Sequence, residues 1–132
     1  RIRVVKAGRS VGKRQLREEM ARAQLGITGV DYAVAETGTC VLLPRSGVSR
    51  AVSLLPPIHL AIVETNQVYE NLDDLFAMRR LVFQDGRGEM GSYMSFISGP
   101  SRTADIEQTI VVGVHGPKEA YLLLLDSEHV GI

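Results

Sequence analysis

The sequence predicts a single α/β domain in which a mixed, mostly parallel sheet is flanked by helices. The 132 residues are 45% hydrophobic and 23% charged, which is an ordinary composition for one globular domain and excludes intrinsic disorder. Short apolar runs such as residues 58–63 alternate with segments of helical periodicity such as residues 10–24. Turns rich in glycine and proline separate these segments.

The first helix is expected within residues 10–24. Positions 1–24 hold eight basic and two acidic residues, whereas the rest of the chain is acidic. A basic arm of this kind can contact nucleic acid, but this one has no aromatic residue to stack on bases. Its apolar residues Leu16, Met20 and Ala23 have helical spacing, and the sequence therefore favours a solvated helix face over nucleic-acid binding.

Gly26 is expected to follow the end of this helix as a left-handed residue. Two short strands are expected next, at residues 32–36 and 39–43. They are joined tightly at Thr37-Gly38, because glycine accommodates the positive φ of such a turn. This segment predicts a hairpin.

Residues 50–55 are apolar at alternate positions but are cut off by two prolines, and we expect a short strand or an irregular approach there. Residues 58–63 are β-branched and nearly continuously apolar, which predicts a strand buried on both faces. His59 lies inside this strand and is interpreted as a hydrogen-bonded core histidine.

Asn71 is a favourable N-cap, so we expect a helix to begin directly after it. Two further buried strands are expected at residues 93–98 and 118–125. Between them, Thr103 is expected to cap a short helix. Strands that alternate with helices in this way are typical of α/β domains.

The single cysteine, Cys40, cannot form an intramolecular disulfide or supply the several thiolates of a zinc or iron–sulfur site. Its aliphatic neighbours indicate a buried small hydrophobic residue, and a reduced, cytoplasmic location is expected. The histidines lack metal-ligand spacing, so no metal is expected. No apolar run approaches the roughly 18 residues of a membrane span, so no membrane association is expected.

Three polar turns, at residues 36–39, 98–103 and 114–117, follow apolar strands. We expect them to meet beyond the carboxyl ends of the strands, where open α/β sheets bind their ligands. If the three turns bring their polar groups together at that edge of the sheet, the edge is the candidate functional site.

The middle turn is the richest in such groups. Gly99 lets a ligand approach the backbone, Ser101 and Thr103 offer hydroxyls, and Arg102 offers a planar fork for a carboxylate or phosphate. The amino end of a helix after Thr103 would also favour an anion.

A second interpretation of this turn stays open. Asp105 and Glu107 would complement the dipole of the same short helix, and Arg102 would pair with one of them. The turn would then be a helix cap and not a binding site.

The first and third turns also have two interpretations. Glu36 can act as a base or nucleophile at the edge of a cleft, with Thr37, Gly38 and Thr39 as binding groups beside it. The alternative, a tight hairpin that needs Gly38, is favoured by the residues alone. His115 can transfer protons at neutral pH, but a histidine in a turn of this kind is more often only a polar turn residue.

Three stretches carry a resemblance to a known family: GITGVDYAVAETGT at 26–39, LPPIHLAIV at 55–63, and ISGPSRTADIE at 97–107 followed by GVHGP at 113–117. In order and spacing they resemble the lactate-utilization (LUD) domain family, and in particular its protein C type. The resemblance covers about residues 25–125.

The resemblance implies a fold like that of the ribose-phosphate isomerase, glucosamine-phosphate isomerase and CoA-transferase superfamily. It also implies a bacterial, cytoplasmic role in the oxidation of L-lactate to pyruvate. Iron–sulfur and cysteine-rich partner subunits would carry the redox centres, and this chain would carry no cofactor. Family members are longer, so residues 1–132 are expected to form one LUD domain that lacks an N-terminal helical part.

The family supplies no settled catalytic residues. Glu36, Asp105, Glu107 and His115 therefore stand as catalytic candidates, and the ligand-binding candidates are Thr37, Gly38, Thr39, Gly99, Ser101, Arg102 and Thr103. The alternative function is a stand-alone enzyme of the isomerase or acyl-transfer type, or a binding protein, for a small ligand carrying a phosphate, a carboxylate or a CoA ester.

Overall fold

The computed structural model describes residues 12–44, 49–86, 93–104 and 110–126. Three α-helices and nine strands lie within these ranges. In chain order they are α1 (Lys13–Arg22), β1 (Leu25–Gly29), β2 (Tyr32–Val34), β3 (Thr39–Leu42), α2 (Ser49–Leu54), β4 (Ile58–Glu64), β5 (Val68–Tyr69), α3 (Leu72–Gln84), β6 (Ser95–Ile97), β7 (Arg102–Ala104), β8 (Ile110–Val112) and β9 (Glu119–Leu125).

A parallel sheet is formed by three strands in the order β1-β4-β9. The central strand β4 confirms the strand expected at residues 58–63. Its alternate residues His59, Ala61 and Val63 are fully buried, and the residues between them are half-buried. The parallel pairing and the helices beside it confirm the α/β class of the fold.

A mixed sheet of four strands has the order β5-β2-β3-β6. Its strands β2 and β3 pair antiparallel, which confirms the expected hairpin. The connection is longer than expected, because it runs from Ala35 to Gly38. Gly38 has a φ of 63°, a conformation that glycine adopts without a steric penalty.

The mixed sheet is packed on both faces. One face joins the parallel sheet in a core cluster that includes Ala33 and Cys40 from the mixed sheet and Ala61 from β4. On the other face, Val34 and Val41 pack against Leu75 of α3. The alternation of side chains along β2 and β3 sends neighbouring residues into these two clusters.

Helix α3 begins as predicted, because the Asn71 side chain accepts a hydrogen bond from the backbone N–H of Asp74 at 2.9 Å. Helix α1 is shorter than the segment expected at residues 10–24. Leu16 and Met20 are half-buried while the arginines beside them are exposed, as expected for an amphipathic helix. None of the described helices is long and apolar enough to cross a membrane.

Two local predictions at the covered face of the parallel sheet are wrong. A short strand or an irregular approach was expected at residues 50–55, but all of them except residue 55 lie in helix α2. Gly26 lies inside β1 and does not have a positive φ. A Cβ atom on Gly26 would clash with the backbone carbonyl oxygen of Val52 in α2, so the glycine serves close packing of helix on strand and not the end of a helix.

Two strands are much less buried than predicted, because both lie at sheet edges. Strand β6, within the expected 93–98 segment, has Phe96 exposed at the end of the mixed sheet. Strand β9, within 118–125, has every residue but Ala120 exposed. Its aliphatic sequence matches a central strand of a parallel sheet, yet in the described part of the chain only β4 pairs with it.

Among the described residues, only one face of the parallel sheet is covered by other elements. The strand register places Gly26, His59 and Ala120 in one row, on the face toward α2 and the mixed sheet. The next row, Ile27, Leu60 and Tyr121, lies on the opposite face. We call this opposite face the outer face, and its apolar residues include Leu25, Ile27, Leu60, Ile62, Tyr121 and Leu123.

Candidate functional site

The turn between β2 and β3 forms the first part of the candidate site. Glu36 is exposed, and its backbone N–H donates to the carbonyl oxygen of Glu70 at 3.0 Å, which fixes the turn against the segment after β5. The hydroxyl oxygens of Thr37 and Thr39 lie 2.6 Å apart. Gly38 closes the turn between them.

Thr39 also connects this turn to the second one. Its buried hydroxyl oxygen lies 2.6 Å from that of Ser98. Pairing of Cys40 with Ile97 in the β3–β6 register brings the two residues together although they are far apart in sequence. A line of three hydroxyls therefore leads from the edge of the core to the exposed residues Thr37 and Ser98.

Ser101 connects the second turn to the third through three hydrogen bonds. Its N–H donates to the carbonyl oxygen of Pro117 at 2.9 Å, and its own carbonyl accepts from the N–H of Gly113 at 2.9 Å. Its hydroxyl oxygen accepts from the N–H of His115 at 3.3 Å. The three turns are thus joined in one continuous region, as the sequence predicts.

The position of this region relative to the parallel sheet differs from the prediction. The N–H of Lys118 donates to the carbonyl oxygen of Pro57 at 2.7 Å, just before β4 and β9 begin. The third turn, which ends at Pro117, therefore lies at the amino edge of the parallel sheet and not at its carboxyl edge. The strands that precede the three turns belong to the mixed sheet and to the β7–β8 hairpin.

The prediction that Thr103 caps the beginning of a short helix is also wrong. Residues Arg102–Ala104 form β7, which pairs antiparallel with β8. The β-branched residues of Ile110–Val112 favour this strand pairing. Because Thr103 is in a strand, it does not begin a helix whose amino end would attract an anion. The candidates Asp105 and Glu107 lie outside the described residues.

Arg102 is exposed at the start of β7, next to Ser101. Within the described ranges, no hydrogen bond or ion pair holds its guanidinium. Gly99, also exposed, has a φ of 94°, so the backbone between Ser98 and Ser101 turns sharply. The proposed partners of Arg102, Asp105 and Glu107, lie outside the described residues, so this pairing stays a prediction.

Two buried titratable side chains have displaced pKa values, and both belong to the core. Burial lowers the pKa of His59, whose Nε2 lies 2.8 Å from the buried Thr28 hydroxyl oxygen. Burial raises the pKa of the Cys40 thiol. The interpretations of His59 as a bonded core histidine and of Cys40 as a buried hydrophobic residue are confirmed.

Among the described residues, no three His, Cys, Asp or Glu side chains are grouped so that they could hold a metal ion. The described groups at the joined turns are hydroxyls, backbone amides, the exposed guanidinium of Arg102, the exposed carboxylate of Glu36 and the exposed side chain of His115. The hydroxyls, the amides and the guanidinium are the groups suited to an anion. Such groups bind oxygen-rich anions through hydrogen bonds and charge.

Ser98 and Gly113 make contacts in this region that the sequence did not predict. Ser98 belongs to the middle turn, but its importance comes from the β3–β6 pairing. Gly113 has a φ of 82°, and its N–H bonds Ser101. The only local signal was the position of each residue directly after an apolar run.

The described architecture is an α/β domain with a parallel sheet, a mixed sheet and one region of joined polar turns. A family model for the LUD domain matches residues 2–125. The chain therefore belongs to the LUD domain family, and the resemblance found in the sequence is confirmed.

Curated relatives match over most of this chain. Lactate utilization protein C of Halalkalibacterium halodurans is 42% identical over 113 residues, which cover 85% of this chain and 48% of that protein. The proteins of the same name from Shouchella clausii and Bacillus subtilis are each 40% identical, over 84% and 80% of this chain and 48% and 44% of their own length. The chain spans about half the length of the curated relatives it matches.

A solved structure supports the fold. The crystal structure of a DUF162 family protein from Deinococcus radiodurans matches with a TM-score of 0.54 and 24% sequence identity. The match covers 82% of this chain and 57% of that one. The likeness to isomerases and CoA-transferases remains a prediction from the sequence.

Proposed function

We propose that this protein acts in lactate utilization, as a counterpart of lactate utilization protein C in the oxidation of L-lactate to pyruvate. The observation that carries the proposal is the identity of about 40% to proteins of that name over at least 80% of this chain. The joined turns contain segments 36–39, 98–103 and 114–117, on which the family resemblance also rests.

Oxidation of the lactate hydroxyl to a ketone releases two electrons and two protons, so an electron acceptor is required. The proposal assigns this role to iron–sulfur partner proteins. An iron–sulfur cluster is held by several cysteine thiolates, whereas this sequence has the single Cys40, which is buried in the core. This chain would then contribute binding or assembly and not electron transfer.

The joined turns are the proposed binding region for a small carboxylate. Three features support this choice: the exposed guanidinium of Arg102, the hydroxyls of Thr37 and Ser98, and the contacts that hold the three turns together. A guanidinium can bind a carboxylate through two parallel hydrogen bonds. Lactate and pyruvate both offer such a carboxylate.

Growth on lactate tests the proposed role. In Bacillus subtilis, the segment of lactate utilization protein C that matches this chain would be replaced by this chain. The expected result is growth on L-lactate as sole carbon source, at a rate close to that of the parent strain. Growth on glucose should be unchanged in every strain.

A matched control strain carries the corresponding segment of the Halalkalibacterium halodurans relative. If the control strain grows on lactate and the strain with this chain does not, although both hybrid proteins accumulate equally, the proposed role is wrong. Substitution Arg102→Ala in the hybrid is expected to abolish growth on lactate, and Arg80→Ala, an exposed arginine on α3, is not.

The same turns also favour a second function, in which the protein acts without partner subunits. The line of hydroxyls and the exposed Arg102 would suit a stand-alone enzyme or binding protein for a phosphate, carboxylate or CoA ester. Thermal unfolding would be measured with inorganic phosphate, L-lactate and acetyl-CoA. A ligand at a hundred times its Kd stabilises a protein by about 2.7 kcal/mol, and Arg102→Ala should remove that shift. Stabilisation by none of the three would contradict this second function.

A further inference from the structure

We propose that the outer face of the parallel sheet is the docking surface for polypeptide that corresponds to the part of the longer LUD relatives outside their match to this chain. The proposal rests on membership of the family and not on the lactate role. The docking proposal can therefore be wrong while the proposed function is right, and the proposed function can be wrong while the docking proposal is right.

The outer face is rich in exposed aliphatic and aromatic side chains. Leu25 and Ile27 of β1 and Tyr121 and Leu123 of β9 are exposed there. They lie on either side of the half-buried Leu60 and Ile62 of β4, and the Tyr121 hydroxyl donates to Glu119. Large apolar patches on a soluble protein mark interaction sites. Parallel sheets in particular occur almost only with both faces covered.

Strand β9 is exposed on both of its faces. Its residues Leu122 and Leu124 point to the face opposite Leu123, and these too are about half exposed. Within the described ranges β9 pairs with β4 on one side and with no strand on the other. A run of four leucines is typical of an interior strand of a parallel sheet, which is buried on both faces, yet here both faces are exposed. We therefore expect further polypeptide over the outer face and along the edge of β9 that does not pair with β4.

The relatives are longer than the segment that matches this chain. This chain spans 48% of the relative from Halalkalibacterium halodurans and 57% of the solved DUF162 protein. Relatives of this fold therefore carry about as much polypeptide again outside the matched segment. None of the three described helices is observed on the outer face: α2 packs over Gly26 on the opposite face, α1 contacts α2, and α3 packs on the mixed sheet. The additional polypeptide of the relatives is therefore the occupant that we assign to this surface.

A thiol-accessibility experiment tests the proposal. Position 123 would be labelled with a maleimide after the substitution Leu123→Cys, once in the 132-residue protein and once in a hybrid. The hybrid would be the Halalkalibacterium halodurans protein with its matching segment replaced by this chain. Labelling would be read by mass spectrometry on the peptide that carries position 123, which separates it from the buried Cys40.

The expected result is rapid labelling in the 132-residue protein and labelling at least about tenfold slower in the hybrid, since burial makes reaction depend on local opening. Phe83→Cys is the matched control, because Phe83 is exposed on α3, away from the outer face. It should react equally fast in both proteins. Tyr121→Cys repeats the test if Leu123→Cys prevents folding, which circular dichroism would report.

Two results would overturn the proposal. Equal, rapid labelling at position 123 in both proteins would mean that the additional polypeptide lies elsewhere. Slow labelling in the 132-residue protein, together with a dimeric mass by light scattering, would mean that a second copy covers the outer face.

Discussion

The two sheets differ in how their faces are covered. The mixed sheet is buried on both sides, by the parallel sheet on one and by α3 on the other. The parallel sheet is buried on one side and carries exposed leucine, isoleucine and tyrosine on the other. Both sheets are built from similarly apolar strands, so hydrophobic sequence alone does not distinguish them.

Different parts of this fold therefore stabilise the folded chain and offer a surface for further contacts. Side chains of β2 and β3, the two central strands of the mixed sheet, contribute to folding of the 132 residues, because nearly all of them are buried. Side chains of the outer face contribute little to that folding and are available to a partner surface. Matched substitutions on the two sheets therefore have different expected effects.

The largest effect is expected from leucine truncation beside the mixed sheet. Leu75→Ala removes a side chain that is 0% exposed between α3 and the sheet, and we expect a loss of about 2–5 kcal/mol in the free energy of unfolding. Leu123→Ala on the outer face, where Leu123 is 46% exposed, should cost less than about 1 kcal/mol. Urea denaturation of both variants measures the difference. Equal losses would show that the two faces are buried alike.

The next effect concerns the covered face of the parallel sheet. Gly26→Ala places a Cβ atom against the Val52 backbone, which cannot move as freely as a side-chain end, and we expect a loss of about 1–3 kcal/mol. Gly29 in the same strand has open space around it, so Gly29→Ala is the control and should change stability by no more than about 0.5 kcal/mol. If Gly26→Ala is as mild as the control, helix α2 does not pack closely on β1.

A smaller effect is expected where the mixed sheet joins the candidate site. Thr39→Val keeps the shape of a buried side chain but removes its hydrogen bonds to Thr37 and Ser98, and we expect a loss of about 1 kcal/mol. Thr37→Val removes only one of these bonds at an exposed position and should cost less. Thermal unfolding at neutral pH measures both variants. A Thr39→Val protein as stable as the original would mean that the hydroxyl line does not hold the turns together.

The smallest expected effect is a pH dependence from the covered face of the parallel sheet. Burial lowers the pKa of His59 in the folded protein, whereas the unfolded chain has the ordinary value of about 6.5. As the pH falls below that value, the unfolded state binds the proton first, so this contribution to stability is present at neutral pH and is lost in acid. Melting temperatures at pH 7.5 and pH 5 measure the loss. His59→Gln should flatten this part of the profile, and an unchanged profile would contradict the assignment.

Local signals predicted the elements whose causes are local. The hairpin around Gly38 and the helix after Asn71 depend on turn and cap geometry within a few residues, and both are observed. The strand at residues 58–63 follows from its continuous β-branched sequence. The buried roles of His59 and Cys40 follow from the apolar residues on either side.

Predictions that depended on distant partners failed more often. Residues 50–55 alternate in polarity like a strand, but their contact with Gly26 is made by a helix. Thr103 resembles a helix cap, but pairing of β7 with β8 places it in a strand. The bond between Thr39 and Ser98 depends on the β3–β6 register, which no local pattern specifies.

The sequence by itself determined the family, the α/β class and the short elements bounded by glycine, proline and asparagine, because backbone preferences and hydrophobic periodicity act over a few residues. Tertiary structure decided which sheet edge receives the polar turns and which strands become edges. It also decided that the leucines of β9 are left exposed. Strand pairing and burial are set by contacts between residues far apart in the chain, and the sequence of any one segment does not contain its partner.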